Sequence, residues 1–376
     1  VKYIRGEIEK PKFFHIASGR PGISVVDLDR DGFDDFFVMA AWGESMFFRN
    51  RGNGTFEEIA AELGLNIKDY NTAGIFADFD NDGDSDLFLG RRWARSQYLV
   101  NENGKFIDRS GEFIDFPLPY FVSSVSAVDY NRDGLLDIYV STAGKKNMLK
   151  MLRDEGIEGG LAEEDLQQMQ NLSAKKSHHI LDKRGTPNVL LRNIGNGRFT
   201  IATETPELKE YRPTFQSTWS DFDDDGDPDV YLANDYGPNQ LFRNEGNGKF
   251  VDVSESTATT DVGFGMGAAW GDYDNDGNHD LYVTNMYSKA GRRIVAQTLP
   301  KDQRYYKMPR GNSLFRNTSA QFDKVSGLEP PSLLVEMGNW GWGSQFIDVD
   351  NDGYLDIYAL SGYYTAPPEV AKSGDI

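Results

Sequence analysis

The 376-residue chain has no cysteine. No disulfide can staple its fold, and no thiol nucleophile or thiolate metal site is available. No run approaches 18 consecutive apolar residues, so no segment reads as a membrane-spanning helix. Basic residues are in deficit: 39 Lys and Arg stand against 59 Asp and Glu, for a formal net charge of −20. That balance argues against a nucleic-acid backbone as partner and favours cations or a highly soluble extracellular surface. Catalytic signatures are also missing: there is no G-x-S-x-G, no H-E-x-x-H and no phosphate-binding P-loop. The chain starts at Val1 with no signal-like segment, which is consistent with removal of a leader or with a boundary inside a longer protein.

What is present is repetition. A nine-residue acidic pattern, D-x-[DN]-x-D-G-x-x-D, occurs six times: DLDRDGFDD from Asp27, DFDNDGDSD from Asp78, DYNRDGLLD from Asp129, DFDDDGDPD from Asp221, DYDNDGNHD from Asp272 and DVDNDGYLD from Asp348. Three of the spacings are 51 residues, and the other two, 92 and 76, locate two insertions. Between the loops a second element recurs, as in FFRNRGNGTFEEI (47–59), YLVNENGKFIDRS (98–110), LLRNIGNGRFTIA (190–202) and LFRNEGNGKFVDV (241–253), with a worn copy LFRNTSAQFDKV (314–325). Each is an apolar run, an Asn/Gly turn and a second run starting at an aromatic, which is the signal of a β-hairpin.

Small apolar residues precede each acidic loop and alternating residues follow it. The unit is therefore strand A, acidic loop, strand B, strand C, turn, strand D. One such unit cannot bury both its faces, so it must stack on neighbours. The expectation is an all-β chain, a β-propeller of four-stranded blades, forming a single domain over 1–376. Six blades are counted. A seventh is open if the natural chain continues past Ile376. The N-terminal YIRGEIEKPKFFHIA resembles a C–D hairpin that would complete the blade begun by the last two strands.

The acidic loop has the chemistry of a calcium site. Calcium takes six to eight hard oxygen ligands, and alternate residues of a tight loop can aim side chains at one ion, with glycine at position 6 for the turn. Positions 1, 3, 5 and 9 would supply carboxylates and position 7 a backbone carbonyl. The ligand sets are Asp27, Asp29, Asp31, Phe33 and Asp35; Asp78, Asp80, Asp82, Asp84 and Asp86; Asp129, Asn131, Asp133, Leu135 and Asp137; Asp221, Asp223, Asp225, Asp227 and Asp229; Asp272, Asp274, Asp276, Asn278 and Asp280; and Asp348, Asp350, Asp352, Tyr354 and Asp356. The helical version of such a loop needs Glu at position 12; here that place holds Val38, Leu89, Val140, Leu232, Val283 and Ala359, so these loops join strands. Six Ca²⁺ ions would cancel 12 of the 20 excess negative charges. An acidic surface turn without a metal is the alternative, since Asp and Gly are ordinary turn residues.

The loops and the F-x-N-x-G-x-G-x-F hairpins resemble FG-GAP/VCBS repeats, as in integrin α-subunit propellers. ANDYGPNQLFRN (233–244), TNMYSKAGRRI (284–294) and WGWGSQFIDVDNDGYLDIY (340–358) are similar to the cartilage acidic protein (ASPIC/UnbV-type) family. The resemblance covers nearly the whole chain; that family typically carries a further C-terminal UnbV-like domain, which is not seen in this sequence and leaves open whether the chain is a fragment. It implies a calcium-binding propeller outside the cytoplasm, at the cell surface or in the periplasm, with a protein or glycan partner or another subunit. An enzyme of lyase or cyclase type with an axial pocket, using Tyr236, Asp235, Arg292 or Trp342, is the alternative.

The first insertion (about 142–187) is helix-like at its centre, with Ile157, Leu161, Leu166, Met169 and Leu172 on one side, and carries His178-His179. The second (about 288–311) is basic: Lys289, Arg292, Arg293, Lys301, Arg304, Lys307 and Arg310 against Asp302. Arg292, Arg293, Arg304 and Arg310 are candidates for an anionic ligand or acidic partner surface. Sequons begin at Asn53, Asn171 and Asn317.

Overall fold

A computed structural model describes residues 22–144, 163–174 and 184–362, apart from residues 42, 69, 247 and 299. The N-terminal hairpin expected over 3–17 and the histidines His178 and His179 lie outside the described residues.

The chain packs as two compact units, one built mainly from residues 1–129, 133–162 and 189–202, the other from 130–132, 163–188 and 203–376. The first contains three antiparallel four-stranded sheets in chain order: β1 (Ile23–Val26), β2 (Asp35–Val38), β3 (Met46–Asn50) and β4 (Phe56–Glu58); β5 (Asn71–Ala77), β6 (Asp86–Arg91), β7 (Gln97–Asn101) and β8 (Phe106–Asp108); β9 (Val122–Val128), β10 (Asp137–Thr142), β11 (Val189–Asn193) and β12 (Phe199–Ile201). The second contains β13 (Thr214–Ser220), β14 (Asp229–Pro238), β15 (Gln240–Asn244) and β16 (Phe250–Asp252), with β17 (Val262–Phe264) paired to the far end of β14. It continues with β18 (Gly267–Gly271), β19 (Asp280–Thr284), β20 (Ser313–Asn317) and β21 (Phe322–Lys324), and ends with the pair β22 (Gly341–Ile347) and β23 (Asp356–Ser361). The chain is all-β and built from blades of the propeller type, each the A–B–C–D meander read from the repeat.

Strand B carries the core. In β6 every residue from Asp86 to Gly90 is buried. Successive side chains of a strand face opposite ways, and both faces are used: Leu87 and Leu89 join Phe37, Phe47 and Phe106, while Phe88 joins Ile138, Leu191 and Phe199. The second unit repeats this with Tyr231, Leu241, Leu281 and Phe315. A fully buried side chain of this size contributes about 1.5–3 kcal/mol. Sheet faces approach closely where strand A is small. A Cβ added to Gly271 would lie 2.6 Å from the Phe346 ring of β22.

The sheets are also laced by a repeated asparagine at the end of strand C: Asn50, Asn101, Asn193, Asn244 and Asn317. Its Oδ1 accepts a turn N–H (Gly52, Gly104, Gly195, Gly246 or Ala320) at 2.8–3.1 Å, closing the C–D hairpin. Its Nδ2 donates to the residue before the ninth loop aspartate, as from Asn244 to the Pro228 carbonyl at 3.2 Å. In three sheets the same Nδ2 crosses to an earlier acidic loop: Asn193 to the Phe79 carbonyl (2.7 Å), Asn244 to Tyr130 (2.8 Å) and Asn317 to Phe222 (2.8 Å). Asn317 is fully buried in this role, so its sequon is unavailable to modification in the folded chain.

The helical expectation for the first insertion is met over Glu163–Ala174, where Met169 is buried. Tyr211 and Lys209 hold this helix through Asp165 at 2.6 and 2.7 Å. The second insertion contains helices Lys289–Thr298 and Arg304–Lys307.

Removing the Asn244 amide would strip partners from two backbone carbonyls, the buried one of Tyr130 and the part-buried one of Pro228. Asn244→Ala is expected to lower unfolding stability by about 2–4 kcal/mol. Asn53→Ala, in an exposed turn, is expected to cost under about 1 kcal/mol. Urea unfolding of the two variants checks the difference, and equal losses would contradict the lacing role.

Candidate metal loops

The six acidic loops share one backbone geometry. Position 1 is the organiser: its carboxylate accepts the N–H groups of positions 5 and 6. Asp27 takes Asp31 and Gly32 at 3.1 and 3.0 Å, and Asp221 takes Asp225 and Gly226 at 3.1 and 2.8 Å. The same pair of bonds recurs at Asp78, Asp129, Asp272 and Asp348. Position 5 then accepts the N–H of position 7 at 2.9–3.0 Å in every loop. Position 6 has φ of 86–98°, which requires glycine at little cost. Position 4 is also left-handed, φ 57–60°, at Arg30, Asn81, Arg132, Asp224, Asn275 and Asn351. Asn and Asp tolerate that region, whereas the two arginines are held there by the loop's own hydrogen bonds.

This wrapping gathers carboxylates. Oxygens of Asp27, Asp29 and Asp31 lie within 4.8 Å of one another, as do those of Asp78, Asp80 and Asp82, of Asp221, Asp223 and Asp225, and of Asp272, Asp274 and Asp276. In the last loop the group is Asp348, Asp350 and Asp356. Three carboxylate oxygens, Asp84 Oδ1, Asp223 Oδ1 and Asp274 Oδ1, are sealed from solvent with no hydrogen-bond partner. Burial and neighbouring carboxylates push the Asp80, Asp84 and Asp223 carboxyls above the ordinary aspartate value. The donor set is all hard oxygen, and orphaned buried oxygens facing like charges fit a bound cation. In the first loop Arg49 also reaches Asp29, at 3.3 Å.

The ninth aspartate stands apart from the other three. Asp35, Asp86, Asp137, Asp229 and Asp280 are each at most 1% exposed. One oxygen accepts the backbone N–H of the strand-C asparagine at 2.7–2.9 Å: Asn50, Asn101, Asn193, Asn244 and Asn317 respectively. In four loops the other oxygen accepts the N–H of position 2, at Leu28, Phe222, Tyr273 and Val349. Asp86 takes the Tyr98 hydroxyl at 2.7 Å instead. Asp356, after which no strand C is described, is exposed. Desolvation dominates these groups and raises them to about 8 at Asp229, about 7 at Asp86 and about 6 at Asp280. The backbone role of position 9 is invisible in the pattern, which marks it only as one more aspartate. The recurrent asparagine sixteen residues beyond position 8 in the unbroken repeats was its trace.

The other candidates are placed differently. Arg292 and Arg293 are exposed on the helix Lys289–Thr298. Arg304 is held by Asp302 at 2.6 Å, and Arg310 by the fully buried Glu336 at 3.0 Å. Asp235 is buried and its N–H donates to the Pro213 carbonyl. Tyr236 has φ 62° and meets Phe264 edge-on at 5.3 Å, and the Trp342 indole N–H donates to the Gly362 carbonyl. Both insertions leave their sheets through strand B–C connections, at the end opposite the acidic loop of the same sheet. Among the described residues no helix is long and apolar enough to cross a membrane.

Because folding raises these carboxyl values, the folded state binds more protons than the unfolded chain between the ordinary aspartate range and about pH 8. The associated stability is full at the acid end and is lost as pH rises through 6 to 8. In chelator, the melting temperature is expected to fall between pH 5.5 and 8.5. Thermal melts check this, and an increase over that interval would contradict the assignment.

Comparison with known proteins agrees with the repeat. Residues 27–89, 78–140 and 221–283 match the FG-GAP-like repeat model. Cartilage acidic protein 1 of Mus musculus is 24% identical over 405 residues, covering 92% of this chain and 58% of its own length, and that of Homo sapiens is 23% identical over 400 residues, covering 92% and 57%. The chain thus spans less than two thirds of the length of these relatives. A Bacillus licheniformis rhamnogalacturonan lyase structure is 13% identical with a TM-score of 0.44, covering 91% of this chain and 55% of that one. With these repeats and its blade sheets, the chain is an FG-GAP-repeat protein, similar along 92% of its length to cartilage acidic protein 1.

Proposed function

We propose that the acidic loops bind Ca²⁺, up to six ions, and that the chain is a calcium-stabilised interaction module working outside the cytoplasm. The observation that carries the calcium reading is the gathering of carboxylates within 4.8 Å, at positions 1, 3 and 5 in four loops and 1, 3 and 9 in the last, beside oxygens that are buried without a partner. The carbonyl at position 7 and the carboxylate at position 9 complete the set of each loop. When bound, the ion supplies compensating charge where each loop otherwise holds three or four like charges. The protein's own part is positioning: Asp221 folds the turn, Gly226 bends it, and Asp229 ties it to strand C.

Loops of this kind in extracellular modules bind at roughly 10⁻⁴–10⁻³ M, which suits calcium outside the cell. An extracellular location is supported by the net charge of −20 and by the similarity to cartilage acidic protein 1. The partner-facing candidates are the strand B–C connections, including Arg292 and Arg293, rather than the metal loops. The partner class is a protein or glycan at the cell surface, or another subunit.

Equilibrium dialysis of purified protein against millimolar CaCl₂ is expected to show several calcium ions bound per chain in excess of the free concentration. Ligands that bind only the native state stabilise it by mass action, by about 2.7 kcal/mol at a hundredfold excess over Kd. EDTA is therefore expected to lower the melting temperature by several degrees, with recovery on adding Ca²⁺. The double variant Asp223→Asn with Asp274→Asn should shrink that recovery. A melting temperature indifferent to EDTA, together with no bound calcium, would refute the reading.

A further inference from the structure

The segment joining β6 to β7 reads RRWARS, three arginines in five residues of a chain with a net charge of −20. It leaves the second sheet at the end opposite the loop Asp78–Asp86. Arg92 stands six residues after the ninth loop aspartate. The other sheets place Ala41, Ala143, Asp235, Met286 and Gly362 at that register, none of them basic.

Its backbone is pinned on both sides. The Arg92 N–H donates to the Tyr70 carbonyl at 2.9 Å, and its own carbonyl accepts from Phe121 at 3.1 Å. The guanidinium lies over the Trp93 ring, 6.0 Å from the centroid. Trp93 in turn meets Phe121 edge-on at 5.4 Å and Tyr70 at 6.3 Å. Three residues on, Arg95 lies over Tyr120 at 5.3 Å and donates to the Leu118 carbonyl at 3.4 Å. Ser96 closes the connection with two bonds to the Pro119 carbonyl.

Two donors in this cage lack acceptors. Arg92 Nε and the Trp93 indole N–H are sealed from solvent with no hydrogen-bond partner. No carboxylate pairs with Arg92 among the described residues, and burial lowers its affinity for its proton. An arginine held partly out of water without a counter-charge is costly, and a well-packed protein normally supplies the missing acceptor. Arg92 as a residue is only partly buried, and its outer nitrogens are not among the sealed donors.

We propose that Arg92, Trp93 and Arg95 form a binding site for the carboxylate of an acidic sugar residue. The guanidinium fork matches the two oxygens of a planar carboxylate. The sealed Nε and indole N–H leave the cage without a compensating acceptor, so the ligand meets the outer guanidinium nitrogens, and the aromatic edges offer an apolar flank to the ring body. The overall charge disfavours an extended polyanion and favours a ligand with one negative group. This names a ligand for the interaction role proposed above and rests on that role. It does not use the metal loops, which lie at the other end of the sheet.

The test is titration calorimetry, with tryptophan fluorescence in parallel, on calcium-loaded full-length chain. The probes are sodium D-glucuronate, D-glucose, glucose 6-sulfate and sodium acetate. Glucuronate is expected to bind, with glucose and acetate at least about tenfold weaker. Arg92→Gln is expected to reduce affinity about tenfold or more, with the melting temperature kept. Arg92→Lys retains the charge but not the fork, so it too should lose affinity, and it serves if the glutamine variant is unstable. Equal or tighter binding of the sulfate would replace the carboxylate assignment. Equal binding of acetate, no heat with glucuronate at 20-fold millimolar excess, or wild-type affinity in both variants would overturn the site. Such a failure in protein that still responds to EDTA leaves the calcium reading intact and so separates the two.

Discussion

Five buried carboxylates, Asp35, Asp86, Asp137, Asp229 and Asp280, are the joints on which the rest of the structure depends. Each sits at the start of strand B, the most buried strand of its sheet, and receives the backbone N–H of the strand-C asparagine. That asparagine closes the C–D turn and, in three sheets, reaches an earlier acidic loop. One carboxylate thereby couples a loop, a strand and a hairpin. At Asp35, Asp86, Asp229 and Asp280 both oxygens accept hydrogen bonds, which offsets part of the cost of burying a carboxylate in so dry a position.

The same arrangement sets up an electrostatic tension. Desolvation favours the protonated form at position 9, while the loop gathers further carboxylates within a few ångströms. A protein has two ways to relieve such crowding: protons or cations. Backbone donors at positions 5, 6 and 7 shape the loops, but they do not neutralise them. A divalent ion shared among the carboxylates would, and it would also shift position 9 back toward its ionised form. On this view the loops are structural devices whose acidity is useful only when a cation is present.

The two ends of each sheet then do different work. At one end lie acidic loops and asparagine turns, repeated with little variation. At the other lie the strand B–C connections, where the repeats diverge most: the short connection between β2 and β3, the arginine-rich RRWARS, the long first insertion and the basic second one. Divergent connections on a regular scaffold are where binding groups are most readily placed. Arg304 and Arg310 are consumed by Asp302 and Glu336 in holding the second insertion together. Arg292 and Arg293 remain exposed for other contacts.

Much of this was written in the chain. Repetition at 51 residues determined the sheet order, because a unit with two apolar faces must stack. The runs after each acidic loop, as in DDFFVMA or PDVYLAN, determined where strand B lies, while its burial on both faces came from the packing of neighbouring sheets. The D-x-[DN]-x-D-G-x-x-D spacing determined the loop, because glycine at position 6 and acceptors at 1 and 5 are local requirements. The sequence could not separate the ninth aspartate from the other three, since its partner asparagine is far along the chain and the pattern records only that both residues are there. Nor could it show that Arg304 and Arg310 are paired, or that Arg92 and Trp93 are left with buried donors lacking acceptors. Local geometry follows from neighbours in the chain. Burial and the pairing of charges depend on which distant segments fold against a residue, so only the tertiary structure decided them.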